Sequence, residues 1–360
     1  MQSISHETNK IKPKFIFLSI RKNILPTIFC IFTICLVIFS KSNLVAAKDG
    51  LILWANNVVP SLLPFFIATE LLSYTNVVAR LGKLLNPIMR PLFHVPGIGS
   101  YALLMGIISG YPTGAKIVVN LRNEGLCTKE EAERMLAFSN NSGPLFILGT
   151  VGITLFGNST IGFLLLFTHI LACLSVGIIF RFWKFKNNST INSSFLNKTT
   201  NKEEVNFSNL GDILGKSILS SIKTIVVIGG FVVLFSVILS ILKSSNAIYI
   251  LGKFIYPFLN FLGIEDFRFA TSIVSGFLEL TNGVMQVASI ACKQISINII
   301  ICAFLLGFGG ISILLQVYSI IAKSDISIKA YFIGKLLHGA LAAFYTFLLI
   351  TYLPIFNLNL

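Results

Sequence analysis

Long apolar stretches separated by short polar segments run through the whole chain. Two of the apolar segments, residues 98–120 and 268–291, are interrupted near their middles. Because freed backbone groups at membrane depth must be buried in protein or face a wet cavity, both are predicted to be re-entrant hairpins or broken helices. Seven other segments approach the roughly 20 residues that a membrane-crossing helix needs, namely 24–40, 51–73, 136–158, 159–181, 215–242, 296–321 and 331–353. The pattern predicts an all-α polytopic membrane protein with about seven full spans and two hairpins.

The chain also aligns with itself. A shift of 166 residues places Gly110 on Gly276 and Gly143 on Gly309 without a gap. Each predicted unit crosses the membrane three times, so two units joined by a cytoplasmic linker have opposite orientations. Inverted repeats with paired broken helices are typical of secondary transporters. The alternative is a duplication that only builds a stable helical bundle.

Composition and charge place the repeats in a membrane. Hydrophobic residues make up 54% of the chain and charged residues 12%, and the net charge is +14. Basic residues cluster before the first span and in the polar linker, which the positive-inside rule assigns to the cytoplasm. The charge therefore indicates topology and anionic headgroups, and not nucleic acid. The expected units are an N-terminal cytoplasmic tail with an uncleaved first span, the first repeat, the linker and the second repeat, at residues 1–50, 51–181, 182–212 and 213–360.

The break in the first hairpin contains Gly110, Tyr111, Thr113 and Gly114, followed by Lys116. An ammonium group in hydrocarbon costs about 3 kcal/mol on insertion scales, so Lys116 should face a cavity or a partner. It is either a counter-charge for an anionic substrate or a lysine that extends to the headgroups. The break residues are candidate substrate ligands.

Glu279 lies at the matching break of the second hairpin and is flanked by apolar residues. It is predicted to carry a coupled proton, to bind substrate, or to form an ion pair with Lys116 that joins the two hairpins. Thr281, Asn282 and Gln316 are secondary candidates for substrate binding in the second half.

Asn140, Asn141 and Ser142 form a polar run just before a proline. The run resembles an unwound binding segment, although Ser and Asn before proline also begin ordinary helices. His169 and His338 are interpreted as lone intramembrane histidines satisfied by a neighbouring helix.

Sequence signals for enzymes are absent. The chain has no HExxH, GxSxG, P-loop or Rossmann motif, and its six cysteines lack metal-binding spacing. We expect neither a cofactor nor a metal, and a secondary transporter or channel in place of an enzyme.

Three motifs carry a family resemblance: residues 109–116, 138–146 and 275–283. Together they resemble the sporulation integral membrane protein YlbJ family, whose members carry nucleoside-recognition or Gate domains related to domains of concentrative nucleoside transporters. The resemblance implies transport of dipicolinate, a small planar dianion, from the mother cell across the outer forespore membrane during spore formation. The implied partners are this anion and the lipid bilayer, with a homo-oligomer as a further candidate.

Two other functions remain open. A nucleoside transporter would follow from the shared domain, and uptake would then be competed by adenosine or uridine. A structural membrane protein needed for spore formation would tolerate point changes at Lys116, Asn140 and Asn141.

Overall fold

A computed structural model describes residues 13–184, 206–291 and 294–352. These residues form helices and short connections, and no strand occurs among them. Most of the predicted linker, residues 182–212, lies outside the described residues, as do residues 1–12 of the predicted tail.

The helices are numbered in chain order, and two segments of π-helix, Trp54–Val58 and Leu145–Leu155, are left unnumbered. The numbered helices are α1 Pro13–Ile38, α2 Ser40–Leu53, α3 Val59–Leu72, α4 Val77–Phe93, α5 Gly99–Ser109, α6 Thr113–Asn123, α7 Lys129–Ser139, α8 Ser159–Phe180, α9 Leu210–Ser244, α10 Ala247–Phe261, α11 Phe267–Leu278, α12 Leu280–Ser289, α13 Ile295–Phe308, α14 Gly310–Ile321 and α15 Ile328–Tyr352.

Four of the predicted spans are confirmed as helices long and apolar enough to cross a membrane: Ser159–Phe180, Leu210–Ser244, Ile295–Ile321 and Ile328–Tyr352. A fifth is counted in the described chain if the bent pair at its start, Asn23–Ile38 with Ser40–Asn56, forms one span. The protein is therefore an all-α polytopic membrane protein. The predicted total of seven full crossings is not confirmed.

The start of the chain differs from the prediction of two spans joined by a loop. Helix continues from Ser40 to Leu72 through a π-helical turn, and its first part is bent by 99° from α1. The Asn43 side chain donates to the carbonyl of Cys35 at 3.2 Å, which adds a hydrogen bond across the bend. A polar segment that the sequence suggested to be a loop is therefore helical.

The predicted span 136–158 is also interrupted. Helix α7 ends at Ser139, Asn140 is extended with φ −108° and ψ 100°, and helical structure resumes around Pro144. We call residues 140–143 the first break. The following helix has no side-chain cap, so the interpretation of the Asn and Ser run as an N-terminal cap is wrong and the unwound segment is confirmed.

Helices α5 and α6 form hairpin 1, and α11 and α12 form hairpin 2. His94 precedes hairpin 1 in the chain, and Arg134 follows it. Nε of Arg134 donates to the His94 carbonyl oxygen at 3.1 Å. In hairpin 2, Nη2 of Arg268 lies 3.5 Å from the carbonyl oxygen of Ala291. Each hairpin thus begins and ends at the same end of the molecule, as a re-entrant segment requires.

The hairpin tips pack on the helix breaks in both halves. Gly110 has φ +79°, and a Cβ there would lie 2.7 Å from the Gly143 amide nitrogen. In the second half, α13 is followed by Gly309 with φ +86°, and a Cβ at Gly310 would lie 3.0 Å from the Gly276 carbonyl oxygen. Only glycine combines such a φ with so close a backbone approach. The repeat in the sequence thus has matching contacts, while opposite membrane orientation stays a prediction.

Candidate solute-binding site

The tips of both hairpins border one cavity between the two halves, which we call the central cavity. Its unfilled volume, including its open mouth, is about 820 Å³. Polar side chains that line it are Tyr111, Ser142, Thr150, Glu279, Thr281, Ser312 and Gln316. Its apolar wall comes partly from Leu62 of α3 and from Ile228 and Val232 of α9.

Hairpin 1 and the first break are joined to the second half through one carbonyl group. The hydroxyls of Tyr111 and Ser142 donate to the Leu306 carbonyl oxygen at 3.1 and 3.2 Å. Leu306 lies in the last turn of α13, where carbonyl groups lack a partner within their own helix. The break at Gly309 therefore supplies the acceptor that fixes two cavity-lining side chains.

Glu279 is the N-cap of α12. Its carboxylate accepts from the Thr281 amide at 3.0 Å, and from the amide and side-chain nitrogens of Asn282 at 2.8 Å each. An acidic group is stabilised at a helix N-terminus by the free N–H groups and the helix dipole. Glu279 therefore occupies the α12 N-terminus, and these N–H groups are not open to a substrate anion.

The predicted ion pair between Glu279 and Lys116 is also wrong. The Lys116 ammonium lies 2.9 Å from the Glu70 carboxylate and 3.0 Å from the Ser220 hydroxyl. The Lys116 side chain thereby connects α6 to α3 and α9, which carry these two partners. Glu70 was missed, although an acid within the apolar segment 51–73 is itself a sign of a buried partner.

Lys116 and Thr113 line a separate pocket, the Lys116 pocket, with an unfilled volume of about 770 Å³. Phe66 and Thr224 line this pocket, one helical turn along α3 and α9 from Leu62 and Ile228 of the central cavity. The two spaces thus follow one another along the same pair of helices. Phe66 of the Lys116 pocket belongs to one apolar cluster with Ile228 of the central cavity.

Asn140 and Asn141 are buried and hold the first break in place. The side-chain nitrogen Nδ2 of Asn140 donates to the Tyr331 hydroxyl at 2.9 Å, and its side-chain oxygen Oδ1 accepts from the Ala115 amide at 3.4 Å. The Asn141 amide donates to the Phe138 carbonyl at 3.0 Å. Gly114 packs against the same segment. These contacts explain the polar run by packing, while Ser142 alone of the three lines the central cavity.

A buried cluster behind the first break escaped the sequence reasoning. Lys335 is 1% exposed, and its ammonium contacts the Asn140 carbonyl oxygen and His338 Nδ1, each at 3.1 Å. The rings of His169 and His338 lie 4.4 Å apart, so the two histidines are not lone. His338 Nε2 lies 3.0 Å from the His169 carbonyl oxygen, which confirms that a neighbouring helix satisfies His338. A lysine inside predicted span 331–353, three residues before a histidine, was the available signal.

An ion pair outside the membrane-spanning segments fixes the exit of hairpin 1. Arg122 donates from Nε and Nη2 to the two carboxylate oxygens of Asp325, each at 2.9 Å. These bonds hold the pKa of Asp325 below its ordinary value of 3.8. Among the described residues, no group of three or more His, Cys, Asp and Glu side chains is placed to hold a metal ion.

Comparison with known proteins gives the class first. Residues 55–182 and 225–325 match the Gate family, described as nucleoside recognition. With its membrane-capable helices, the chain is an integral membrane protein of this nucleoside-recognition class.

A relative then gives the narrower family. The chain is 35% identical over 336 residues to the sporulation integral membrane protein YlbJ of Bacillus subtilis (strain 168), over 91% of this chain and 82% of that protein. The chain belongs to the YlbJ family of sporulation integral membrane proteins. No solved structure matches it.

Proposed function

We propose that this protein is a membrane transporter for a small organic anion, and that its solute is dipicolinate, pyridine-2,6-dicarboxylate. The observation that carries the proposal is the central cavity, which receives Tyr111 and Ser142 from the first half and Glu279 and Gln316 from the second. In transporters built from repeats, solute binds where broken helices of the two halves meet. A solute held there contacts both halves and can follow their relative movement.

The walls of the central cavity suit a planar aromatic solute with polar substituents. Leu62, Phe146 and Ile228 offer apolar surface, while Ser142 and Gln316 offer hydrogen-bonding groups. Ligand sites commonly combine a mainly apolar wall with a few placed polar groups. A pyridine ring with two carboxylates matches this division.

The carboxylate of Glu279 does not prevent an anion from binding nearby. Its charge is already offset by three N–H donors at the α12 N-terminus. In this arrangement Glu279 shapes the cavity and caps its helix. Its assignment to proton coupling has no support from these contacts.

The family supports the biological setting. The Bacillus subtilis relative is named a sporulation integral membrane protein, and the family resemblance implies passage of dipicolinate across the outer forespore membrane. We place this protein in that membrane, where it supplies the developing spore.

A nucleoside is the second candidate solute. The Gate match and the neutral hydrogen-bonding groups of Ser312, Thr281 and Gln316 favour it. A nucleoside carries an aromatic base and several hydroxyl groups, which these side chains can also bind.

Uptake into proteoliposomes tests both candidates. The full-length protein is reconstituted and given radiolabelled dipicolinate, with unlabelled dipicolinate, uridine or adenosine as competitors. Saturable uptake competed only by dipicolinate supports the proposal. Uptake of uridine without dipicolinate favours the nucleoside, and uptake of neither solute contradicts a transporter for them.

A matched pair of variants on α14 connects uptake to the cavity. Gln316→Leu removes a buried hydrogen-bonding group from the lining, and Tyr318→Phe changes an exposed side chain two residues away. Uptake should fall at least tenfold for Gln316→Leu and stay near wild type for Tyr318→Phe. Equal uptake by both variants would show that transport does not depend on the lining of the central cavity.

A further inference from the structure

Lys335 is a buried lysine with no acidic partner among the described residues. Its ammonium contacts the Asn140 carbonyl oxygen and His338 Nδ1, and lies 5.1 Å from the centroid of the Tyr111 ring. None of the ion pairs among the described residues includes it. Its three contacts are all made to neutral groups.

The helices packed around Lys335 do not supply a counter-ion. Helices α8, α13, α14 and α15 contain no Asp or Glu. The acids of α7 lie at its other end, where Glu131 accepts from the Thr128 amide and Glu133 binds Lys184. The Asn140 carbonyl at the α7 C-terminus offsets part of the charge through the helix dipole. The rest has no fixed compensation.

The hydrogen-bond pattern assigns the donor role to Lys335. His338 Nε2 lies 3.0 Å from the His169 carbonyl oxygen, which can only accept, so Nε2 carries the hydrogen. In a neutral imidazole Nδ1 then accepts, and the Lys335 ammonium donates to it. The ring of Tyr111 receives the same ammonium on its face as a cation–π contact.

Tyr111 connects this cation to the solute site. Its ring contacts the Lys335 ammonium, and the same residue lines the central cavity. A planar solute stacked on the cavity side of the ring would lie roughly 3.5 Å beyond the ring, at van der Waals contact. Its distance from the Lys335 ammonium would then be about 9 Å. At an effective dielectric constant near 20, unit charges at this distance change a binding constant roughly tenfold or more.

We propose that Lys335 makes the central cavity selective for anionic solutes by acting through the Tyr111 ring as a counter-charge. Lys335 does not touch the solute, so it is a positioning and charge-selecting residue. This inference rests on the proposed transport of an aromatic dicarboxylate and adds the residue that selects for its charge. A bound anion would also compensate a buried charge that the empty protein leaves unpaired.

Two ligands of the same shape test the charge preference. Binding of pyridine-2,6-dicarboxylate and of the neutral pyridine-2,6-dicarboxamide is measured by thermal shift on the purified full-length protein. Wild type should bind the dicarboxylate at least tenfold more tightly. The variants are Lys335→Met, and Lys335→Gln as a second variant that keeps a donor for the Asn140 carbonyl. Lys329→Met removes an exposed lysine from the same helix and is the matched control.

In both Lys335 variants, the ratio of dicarboxylate to dicarboxamide affinity should fall at least tenfold, while the affinity for the dicarboxamide changes less than threefold. Lys329→Met should keep the wild-type ratio. A purely structural role would weaken both ligands equally. Lys335 variants that keep the preference, or a wild type that binds both ligands equally, would overturn the role of Lys335 but not the proposed function. A wild type that binds neither ligand would overturn the proposed function, and the charge preference with it.

Discussion

The ammonium of Lys116 lies 2.9 Å from a carboxylate oxygen of Glu70, in an ion pair that joins hairpin 1 to α3. The two side chains are 31% and 20% exposed, so solvent screens the pair only in part. We expect Lys116→Met and Glu70→Gln each to lower the free energy of unfolding, because each leaves one charge without its partner. The double variant should lose less than the sum, with a coupling energy of about 1 kcal/mol. Thermal or denaturant unfolding in detergent measures all three.

The control for this cycle combines Glu70→Gln with Lys329→Met, which affects an exposed lysine on another helix. Their effects should add. An additive result for Lys116 and Glu70 as well would contradict the pair.

Glu279 is predicted to act as a helix cap. Its carboxylate accepts three hydrogen bonds, from the Thr281 amide and from both nitrogens of Asn282. Glu279→Ala should lower the free energy of unfolding by about 1 kcal/mol. Glu279→Gln should also lose stability, because its NH2 group would face N–H donors. The exposed Glu265→Ala is the control and should stay within about 0.5 kcal/mol of wild type. If Glu279→Gln is as stable as wild type, the claim that the Glu279 carboxylate stabilises the protein as the α12 N-cap is contradicted.

Hairpin 2 depends on the contact of its two arms at glycine. A Cβ on Gly283 would lie 2.1 Å from the Gly276 Cα, where the neighbouring atoms are backbone and cannot turn aside. Gly283→Ala should therefore lower the free energy of unfolding by about 3 kcal/mol or prevent folding. Gly230 in α9 has no atom within 4 Å of such a Cβ, so Gly230→Ala should be neutral or stabilising by about 0.5 kcal/mol. Equal tolerance of both changes would contradict the packing of the hairpin.

Spacing along the chain was enough to find the hairpins and the breaks. Gly110 and Gly276 mark equivalent tips because the repeat keeps its register without a gap, and the freed backbone at each break must be buried. The break in the first hairpin also identified Tyr111 as a candidate substrate ligand, and the polar run before Pro144 identified Ser142. Local pattern and period were sufficient for these features.

The partners of charged side chains required tertiary information. Glu70 lies 46 positions from Lys116, and its helix meets α6 only after folding. Lys335 contacts Asn140 across 195 positions, and neither residue has a charge pattern that indicates the other. Asn140 was predicted to bind substrate because its side chain is polar, whereas the fold uses it to fix the first break. Pair assignments of this kind depend on which helices pack together, which the repeat alone does not specify.

The re-entrant arrangement predicts which residues share a side of the membrane. Arg90 precedes hairpin 1 and Glu124 follows it, and both are exposed. In a variant with the native cysteines replaced, Arg90→Cys and Glu124→Cys should react with a membrane-impermeant maleimide from the same side. Ser245→Cys, after α9, should react from the opposite side. Labelling of Arg90→Cys and Glu124→Cys from opposite sides would mean that the segment between them crosses fully.

The most direct test of the central claim, that solute passes through the central cavity, is dipicolinate uptake by proteoliposomes carrying Ser312→Phe. Ser312 lines the cavity and is 2% exposed, while Leu315 on the same helix is 39% exposed and provides the matched control Leu315→Phe. At equal amounts of reconstituted protein, the account predicts that Ser312→Phe reduces uptake at least tenfold and that Leu315→Phe transports like wild type. Wild-type uptake by Ser312→Phe would contradict the claim, because a phenyl ring in the cavity would then leave the route of the solute open.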